Sequence, residues 1–251
     1  MLSDHERRNR EFWDADADGY QAAHAAQLDP DAPMGWGVWH VPERDVAALG
    51  DVRGRDVLEL GCGAAQWSIQ LAAAGARPFG LDLSVAQLGH ARTEMQRAGT
   101  SVPLVLASGE QVPFRDGSFD VVFCDHGAMS FCDPEDTVPE AARCLRSGGR
   151  LIFNATTALV YWTYNRRRDR QSRKLHEPMF GRRRWDFGDG TVDYAIPNGE
   201  WIRLFRRHGL AIDDLIELRP PKGATTTYPD FVPYRWARRW PAEQIWSVHK
   251  P

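Results

Sequence analysis

The segment between Arg55 and Thr156 alternates short runs of β-branched and apolar residues with stretches of helical spacing. This alternation is typical of parallel strands joined by crossover helices, because a parallel strand needs a long return connection. The strands predicted here are Asp56 to Leu60, Pro78 to Leu83, Pro103 to Ala107, Phe119 to Cys124 and Arg150 to Asn154. The segment therefore predicts an α/β fold with a doubly wound, mostly parallel sheet.

The regions on either side of this segment are less regular. From 158 to 197 the periodicity fails, and many aromatic residues and arginines predict an insertion that acts as a lid. Two later runs, Ala211 to Leu218 and Gln244 to Val248, predict strands that form an antiparallel hairpin at the sheet edge. Residues 1–50 show no strand pattern and predict a helical cover over the site, so the whole chain, 1–251, is expected to form one domain.

Composition narrows the class of protein. The 31 basic and 34 acidic side chains leave a net charge of −3, without the basic surplus that nucleic-acid binders usually carry. The N-terminus is charged and no window approaches the ~20 apolar residues of a membrane span, so we expect a cytoplasmic protein. The four cysteines form no CxxC pair, and neither disulfides nor a metal site are expected.

The strongest local motif is the run from Val57 to Ala65, in which an apolar strand enters a glycine-containing turn that leads into a helix. Gly61 and Gly63 permit close approach of backbone to a ligand, and the helix N-terminus offers free N–H groups. Asp82 ends the next strand, 21 residues after Gly61, where its carboxylate can accept hydrogen bonds from ribose hydroxyls. Together they indicate a ligand of the adenosine type.

These motifs, together with the run from Ala107 to Val122, resemble class I S-adenosylmethionine-dependent methyltransferases of the ubiquinone/menaquinone-methylase-like type. The resemblance covers about Val57 to Phe153. It implies a Rossmann-like, seven-stranded sheet, and S-adenosylmethionine as the cofactor, with S-adenosylhomocysteine as its product.

The resemblance also implies roles for particular residues. Glu59, Gly61 and Gly63 would surround the methionine portion of the cofactor, with Cys62 beside it, and Asp82 would bind the ribose. Leu83, Gly109 and Glu110 would contact the adenine. The family usually has Asp where this chain has Ser108, so the hydrogen bond from the adenine amino group would go to a hydroxyl and be weaker.

The run from Asp125 to Phe131 follows the fourth strand and is expected to line the methyl-transfer site. His126 is a candidate catalytic base, since histidine titrates near neutral pH; the alternative is that it only orients backbone or cofactor. His24 and His40 are alternative bases in the cover segment. Tyr20, Trp36 and Trp39 are candidates to lie over the sulfonium or the substrate, because aromatic faces attract cations.

Several functions stay open on the sequence. The leading hypothesis is methyl transfer to oxygen, nitrogen or carbon of a small molecule, with an aromatic or hydrophobic molecule as a candidate. The arginines of the insertion leave room for an RNA or protein methyltransferase, although a solvated surface paired with acids is the better explanation of them. A non-catalytic nucleoside-binding module is a third hypothesis. Gln66 stands where the dinucleotide pattern has its third glycine, so nicotinamide binding is a minor alternative, and the oligomeric state is not indicated.

Overall fold

The chain order of helices and strands follows the predicted alternation. The computed structural model describes residues 2–186, 188 and 190–251, and Phe187 and Asp189 of the predicted insertion lie outside that range. The strands are β1 Gly35–Trp36, β2 Val41–Pro42, β3 Asp56–Leu60, β4 Arg77–Asp82, β5 Leu104–Leu106, β6 Phe119–Asp125, β7 Leu145–Thr156, β8 Tyr164–Asn165, β9 Arg170–Gln171, β10 Arg184–Trp185, β11 Asp193–Tyr194, β12 Ala211–Leu218 and β13 Glu243–His249. The helices are α1 Asp4–His24, α2 Glu43–Val46, α3 Gln66–Ala73, α4 Val85–Ala98, α5 Gly127–Phe131, α6 Pro134–Cys144, α7 Ala158–Trp162, α8 Asn198–Arg207 and α9 Tyr234–Ala237.

Seven strands form one sheet in the order β12-β13-β7-β6-β3-β4-β5. The five strands from β3 to β7 pair in parallel, whereas β13 runs antiparallel to both β7 and β12. The predicted seven-stranded Rossmann-like sheet and its antiparallel pair at the edge are confirmed. The reversed strand, β13, lies one place in from the edge strand β12.

Both faces of the sheet are buried, as the near-continuous apolar strands require. In β6, Val122 and Cys124 belong to one core cluster, with α6 and α8, while Val121 and Phe123 belong to another, with α3 and the segment after α1. This alternation is the period of two that a strand imposes on its side chains. The sheet is thus covered by helices on both faces.

Helix α1 begins with a capping box. The Ser3 side chain accepts from the Glu6 N–H, and the Glu6 carboxylate accepts from the Ser3 N–H in return, which satisfies two free donors of the first turn. The helix is held to the sheet domain by His5, whose Nε2 lies 2.6 Å from Glu110 Oε1. Further along, Asn9 donates to the carbonyls of Phe131 and Val192. These contacts fix α1 across the carboxyl ends of the strands.

The two irregular segments contain more strand than expected. Residues 1–50 hold α1 and α2, but also the two-residue hairpin of β1 and β2. In its described residues the insertion contains α7 and two short antiparallel hairpins. Pairs of two residues leave no periodicity to read in a sequence, so these hairpins were not predictable from pattern.

Candidate active site

A cavity of about 810 Å³ opens at the carboxyl ends of β3, β4 and β6. Its wall is completed by α1, by the insertion and by the loop that contains Tyr228 and Phe231. Open α/β sheets place their ligand sites at this end of the strands. The volume lies within the roughly 300–1,000 Å³ of small-molecule sites.

Ten of the fourteen site residues predicted from the sequence line this cavity. They are Tyr20, Glu59, Gly61, Cys62, Gly63, Asp82, Leu83, Gly109, Asp125 and His126. They come from five separate parts of the chain, and the parallel strands predicted from the sequence bring most of them to one end of the sheet.

Backbone packing requires a glycine at position 61. Its φ is +73°, and a Cβ on it would lie 2.4 Å from the Ala128 backbone nitrogen. Gly127 faces it, and a Cβ there would lie 2.6 Å from the Gly61 oxygen. The expected close approach is therefore between two backbone turns, β3–α3 and β6–α5, which meet at the cavity floor.

Asp82 is held rigidly at the end of β4. Its Oδ1 accepts from the Ser84 N–H and its Oδ2 from the Gly63 N–H, both at 2.8 Å. Burial raises the pKa of this carboxyl, although hydrogen bonds from the backbone of Ser84, Gly63 and Leu83 work in the opposite direction. Each oxygen keeps a second lone pair, so Asp82 can accept hydrogen bonds from a diol at the cavity.

Glu59 is a buried acid of the cavity whose pKa is strongly raised. Its Oε2 accepts from the Ser68 N–H at 3.0 Å and from the Ser68 hydroxyl at 2.5 Å. Burial, helped by the nearby Asp125 and Asp82 carboxylates, raises the pKa of Glu59 to about 8. Without a cationic ligand this side chain is mainly protonated at neutral pH.

The raised pKa of Glu59 predicts that ligand-free protein loses stability as pH rises from about 5 to about 8. In that window the folded state binds more protons than the unfolded state, so the free energy of unfolding falls with pH. Glu59→Gln removes this contribution while keeping an acceptor for Ser68. We expect the melting temperature of this variant to fall less over the window than that of the wild type. At pH 8.5 its free energy of unfolding should exceed that of the wild type by on the order of a few kcal/mol. Thermal melts at several pH values measure this; Glu11→Gln, at an exposed position, is the control, and parallel wild-type and Glu59→Gln curves would contradict it.

His126 sits in a strained turn and is paired with a buried acid. Its backbone has φ +63° and ψ −66°, a conformation that non-glycine residues rarely adopt and that clusters at functional sites. Its Nε2 lies 2.6 Å from Glu243 Oε1, and Glu243 is 1% exposed. Although burial lowers the pKa of His126, the hydrogen bond and charge of Glu243 outweigh it, so the pKa is raised.

Asp125 is a structural anchor rather than a free base. Its carboxylate accepts from the Gly37 N–H, the Asn154 side-chain amide and the Trp67 indole. Burial raises its pKa, against the nearby charge of His126 and the hydrogen bond from Asn154. Asp125 thereby ties the β1–β2 hairpin to the end of β6, and it faces the cavity from that position.

Two predicted aromatic residues lie outside the cavity wall, and this part of the prediction is corrected. Trp36 is fully buried, and its indole N–H donates to Glu43 at 2.6 Å. Trp39 is 5% exposed and packs against Tyr234. Both rings belong to the hydrophobic core under the sheet, because a ring with so much apolar surface is stabilised more by burial than by an open site.

Ser108 and Glu110 are also displaced from their expected places. The Ser108 hydroxyl accepts from the Glu110 N–H at 3.1 Å. The Glu110 carboxylate accepts from the Asp133 N–H at 2.7 Å and pairs with His5. Neither side chain is part of the cavity wall, whereas Gly109, which stands between them, lines it.

His24 and His40, the alternative candidate bases, lie at different places relative to the cavity. The His24 ring stacks on Tyr228 at 3.7 Å between ring centroids, and its Nδ1 lies 3.0 Å from the Thr227 hydroxyl. His24 is outside the cavity wall. His40 lines the cavity, but its Nε2 donates to the Pro33 carbonyl at 2.8 Å.

Some cavity residues were not identified from the sequence. Glu6 and Asn9 of α1 line the wall, and so does Phe231, whose ring contacts the His126 ring edge-on. The capping-box pattern from Ser3 to Glu6 marks a helix start and gives no sign of a site. Glu243 is 117 positions from His126, so only the tertiary structure brings that pair together.

The cavity is strongly acidic. Among the residues that the structure describes, its wall holds eight carboxyl groups, namely Glu6, Asp29, Glu59, Asp82, Asp125, Asp169, Asp193 and Asp230. Arg170 is the single arginine or lysine of that wall within the described part of the chain. A ligand with positive charge fits this wall, whereas a pyrophosphate would be repelled by it.

The arginines of the insertion divide into two groups. Arg182, Arg183 and Arg184 lie within 4 Å of carboxylates, including Glu177, Glu135 and Asp4, as the solvated-surface explanation predicts. Others line a second cavity of about 1300 Å³ that shares Arg170, Gln171 and Pro233 with the first. Its basic residues are Arg167, Arg168, Arg170, Arg173, Lys174, His176, Arg235, Arg238 and Arg239.

The central part of the chain matches a known protein family. Residues 58–153 match the methyltransferase domain family. The resemblance to S-adenosylmethionine-dependent methyltransferases is thereby confirmed for the strands and turns that build the cavity floor.

Two relatives illustrate which proteins have a similar sequence in this part of the chain. The ubiquinone biosynthesis O-methyltransferase of Aromatoleum aromaticum is 38% identical over 102 residues, which are 40% of this chain and 44% of that protein. A demethylmenaquinone methyltransferase of a Mycobacterium species is 40% identical over 106 residues, 42% of this chain and 44% of the relative. The aligned part thus spans less than half the length of these relatives.

A solved structure extends the likeness of the fold beyond the matched segment. The S-adenosylmethionine-dependent methyltransferase of Mesorhizobium loti superposes with a TM-score of 0.65 at 22% identity, covering 85% of this chain and all of that one.

Among the residues described, no helix combines the length and apolar character needed to cross a membrane.

Proposed function

We propose that this protein is an S-adenosylmethionine-dependent methyltransferase that acts on a small molecule. The observation that carries the proposal is the acidic cavity at the carboxyl ends of β3, β4 and β6. A sulfonium compound with an adenosine group matches it in charge at Glu59 and in hydrogen bonding at Asp82. A nicotinamide dinucleotide would bring a pyrophosphate to the same carboxylates, so this alternative is disfavoured.

The residues present fit this cofactor at each of its parts. Glu59 would face the positively charged methionine portion together with Cys62 and Gly63, and ligand charge would favour its ionised form. Asp82 would accept from the ribose hydroxyls, while Leu83 and Gly109 would lie against the adenine. Buried carboxylates with raised pKa values are costly without a partner, and a cationic ligand supplies that partner.

The cofactor supplies a methyl group on a sulfonium that an acceptor atom can displace directly. The chain's own part is to align the acceptor and exclude water, since alignment provides most of the acceleration in such a displacement. His126 would take the proton of the acceptor. Glu243 holds Nε2 of that ring, which leaves Nδ1 as the atom that can accept a proton.

The acceptor end of the cavity favours an aromatic or hydrophobic molecule. Trp13 packs edge-on against both Tyr20 and Phe131, each with ring centroids 5.2 Å apart. The Tyr20 hydroxyl pairs with that of Tyr228 at 2.8 Å, and burial raises the pKa of Tyr20 to about 12, so it stays protonated. The names of the relatives, which refer to ubiquinone and demethylmenaquinone, support an acceptor of aromatic character. We propose a ring-bearing acceptor with a methylatable hydroxyl or carbon.

The test is a screen of acceptors by mass shift. Purified protein is incubated with S-adenosylmethionine and a panel of phenols, hydroquinones, amines and carboxylates. We expect one class of acceptor to gain 14 mass units per methyl group, a CH₂ increment, with formation of an equal amount of S-adenosylhomocysteine. Cofactor binding without any methylated product across the panel would favour the non-catalytic nucleoside-binding module instead.

A second candidate function has one observation in its favour. The basic cavity that adjoins the first through Arg170 fits an anionic partner, as an RNA methyltransferase would need. A gel shift with tRNA at rising salt tests it, because phosphate contacts weaken steeply with salt. Retained binding at moderate salt would favour this candidate, and absence of binding at low salt would exclude it.

A further inference from the structure

Glu6 is an acid of the cavity wall that the sequence motifs do not assign to any ligand. It lies in the first turn of α1, is 3% exposed and faces the cavity next to the turn that carries Gly109. Its Oε2 accepts from the Ser3 N–H at 2.6 Å. Its Oε1 is buried and, among the residues that the structure describes, has no hydrogen-bond partner.

The capping box accounts for only one of the two carboxylate oxygens of Glu6. One carboxylate oxygen is sufficient for the reciprocal bond to the N-cap residue. A second oxygen that is buried without a donor is costly, because it has lost its hydration without gaining a hydrogen bond. The position therefore needs a further explanation, and a ligand donor at the cavity supplies one.

The neighbourhood of Glu6 indicates which ligand group it meets. Burial works against ionisation of Glu6, but the nearby Ser108 hydroxyl and the hydrogen bonds with Ser3 outweigh burial and lower its pKa. Glu6 is therefore an ionised hydrogen-bond acceptor beside the turn that follows β5 and carries Ser108. Ser108 is the position at which the resembled family carries an Asp, and here its hydroxyl is turned to the Glu110 N–H.

We propose that Glu6 is the residue that recognises the exocyclic amino group of the adenine, in place of the carboxylate that this chain lacks at Ser108. The inference rests on the proposed function, since it assumes that an adenosine compound occupies the cavity. It assigns base specificity to α1, an element outside the matched methyltransferase segment. His5 and Asn9 act as positioning residues, because their bonds to Glu110 and to the Phe131 and Val192 carbonyls hold the helix in place.

The experiment compares two nucleosides on two matched variants. S-adenosylhomocysteine and S-inosylhomocysteine differ at position 6 of the base, where the second has a carbonyl oxygen that a carboxylate repels. Calorimetric titration of wild-type protein is expected to give at least about tenfold tighter binding of the adenosine compound. Glu6→Gln keeps the capping box, but its amide can donate to the inosine carbonyl. We therefore expect the preference to fall to about threefold or less.

The controls separate recognition from helix stability. Ser3→Ala weakens the helix cap and leaves the Glu6 carboxylate, so the preference of this variant for the adenosine compound should equal that of the wild type. Ser108→Asp in the Glu6→Gln background restores a carboxylate at the turn and should restore the preference.

Three results would overturn the inference about Glu6. They are a wild type that does not discriminate between the two compounds, a Glu6→Gln variant that keeps the full preference, and a Ser3→Ala variant that loses it equally. If the wild type binds neither compound, the proposed function itself fails, which is a distinct outcome.

Discussion

Asp82→Asn is expected to weaken the binding of S-adenosylhomocysteine by about 10- to 100-fold, because it removes a charge-assisted hydrogen bond worth on the order of 1.5–3 kcal/mol. Asn can still accept from one of the two backbone donors, Ser84 and Gly63, that hold Asp82 in place. The variant therefore changes the charge while keeping much of the local geometry. Calorimetric titration measures the dissociation constant directly.

Asp14→Asn is the matched control for this variant. The Asp14 carboxylate accepts from the Ser84 hydroxyl at 2.7 Å and from the Ala86 N–H at 3.2 Å, so it contacts the same turn as Asp82 from outside the cavity. Its substitution should leave the affinity within about twofold. Equal affinity of Asp82→Asn and wild type would show that the ribose is bound elsewhere.

His126→Gln is expected to slow methyl transfer by about 10²- to 10⁴-fold, the usual contribution of a positioned proton acceptor. The affinity for S-adenosylhomocysteine should stay near that of the wild type, since the proposed role of His126 is toward the acceptor. The rate is measured with the acceptor found in the mass-shift screen. Transfer at the wild-type rate would remove His126 from the mechanism, and loss of both rate and cofactor affinity would assign it a structural role.

Glu243→Gln tests the same pair through its pH dependence. The wild-type rate should rise with pH through a pKa above the ordinary 6.5 of histidine, because Glu243 raises the pKa of His126 against the effect of burial. Without the carboxylate, burial dominates, and the rising limb should move to lower pH. Gln at this position can still accept from the Val38 N–H, which Glu243 Oε1 now does at 2.9 Å. A limb that does not move would show that another group titrates.

The parts of the fold and site that repeat a local pattern were predictable from the sequence. The strands β3, β4 and β6 are long apolar runs, and their ends carry Glu59, Asp82 and Asp125. Because parallel strands share one carboxyl edge, these side chains had to meet. The antiparallel pair of β12 and β13 followed from the absence of a long helix between them.

The parts that depend on tertiary packing were not predictable. Aromatic composition alone could not distinguish Tyr20, which lines the cavity, from Trp36 and Trp39, which fill the core. Glu243 and Glu6 come from opposite ends of the chain and reach the site through β13 and α1. Their local sequence context is that of an ordinary strand and an ordinary helix start, so no spacing rule connects them to the motifs of the sheet.

The most direct test of the central claim is calorimetric titration of the wild-type protein with S-adenosylmethionine and with S-adenosylhomocysteine. The acidic cavity and Asp82 predict saturable one-to-one binding of both compounds, weakened in Asp82→Asn and unchanged in Asp14→Asn. Well-folded protein that binds neither compound would contradict the assignment of the cavity to this cofactor.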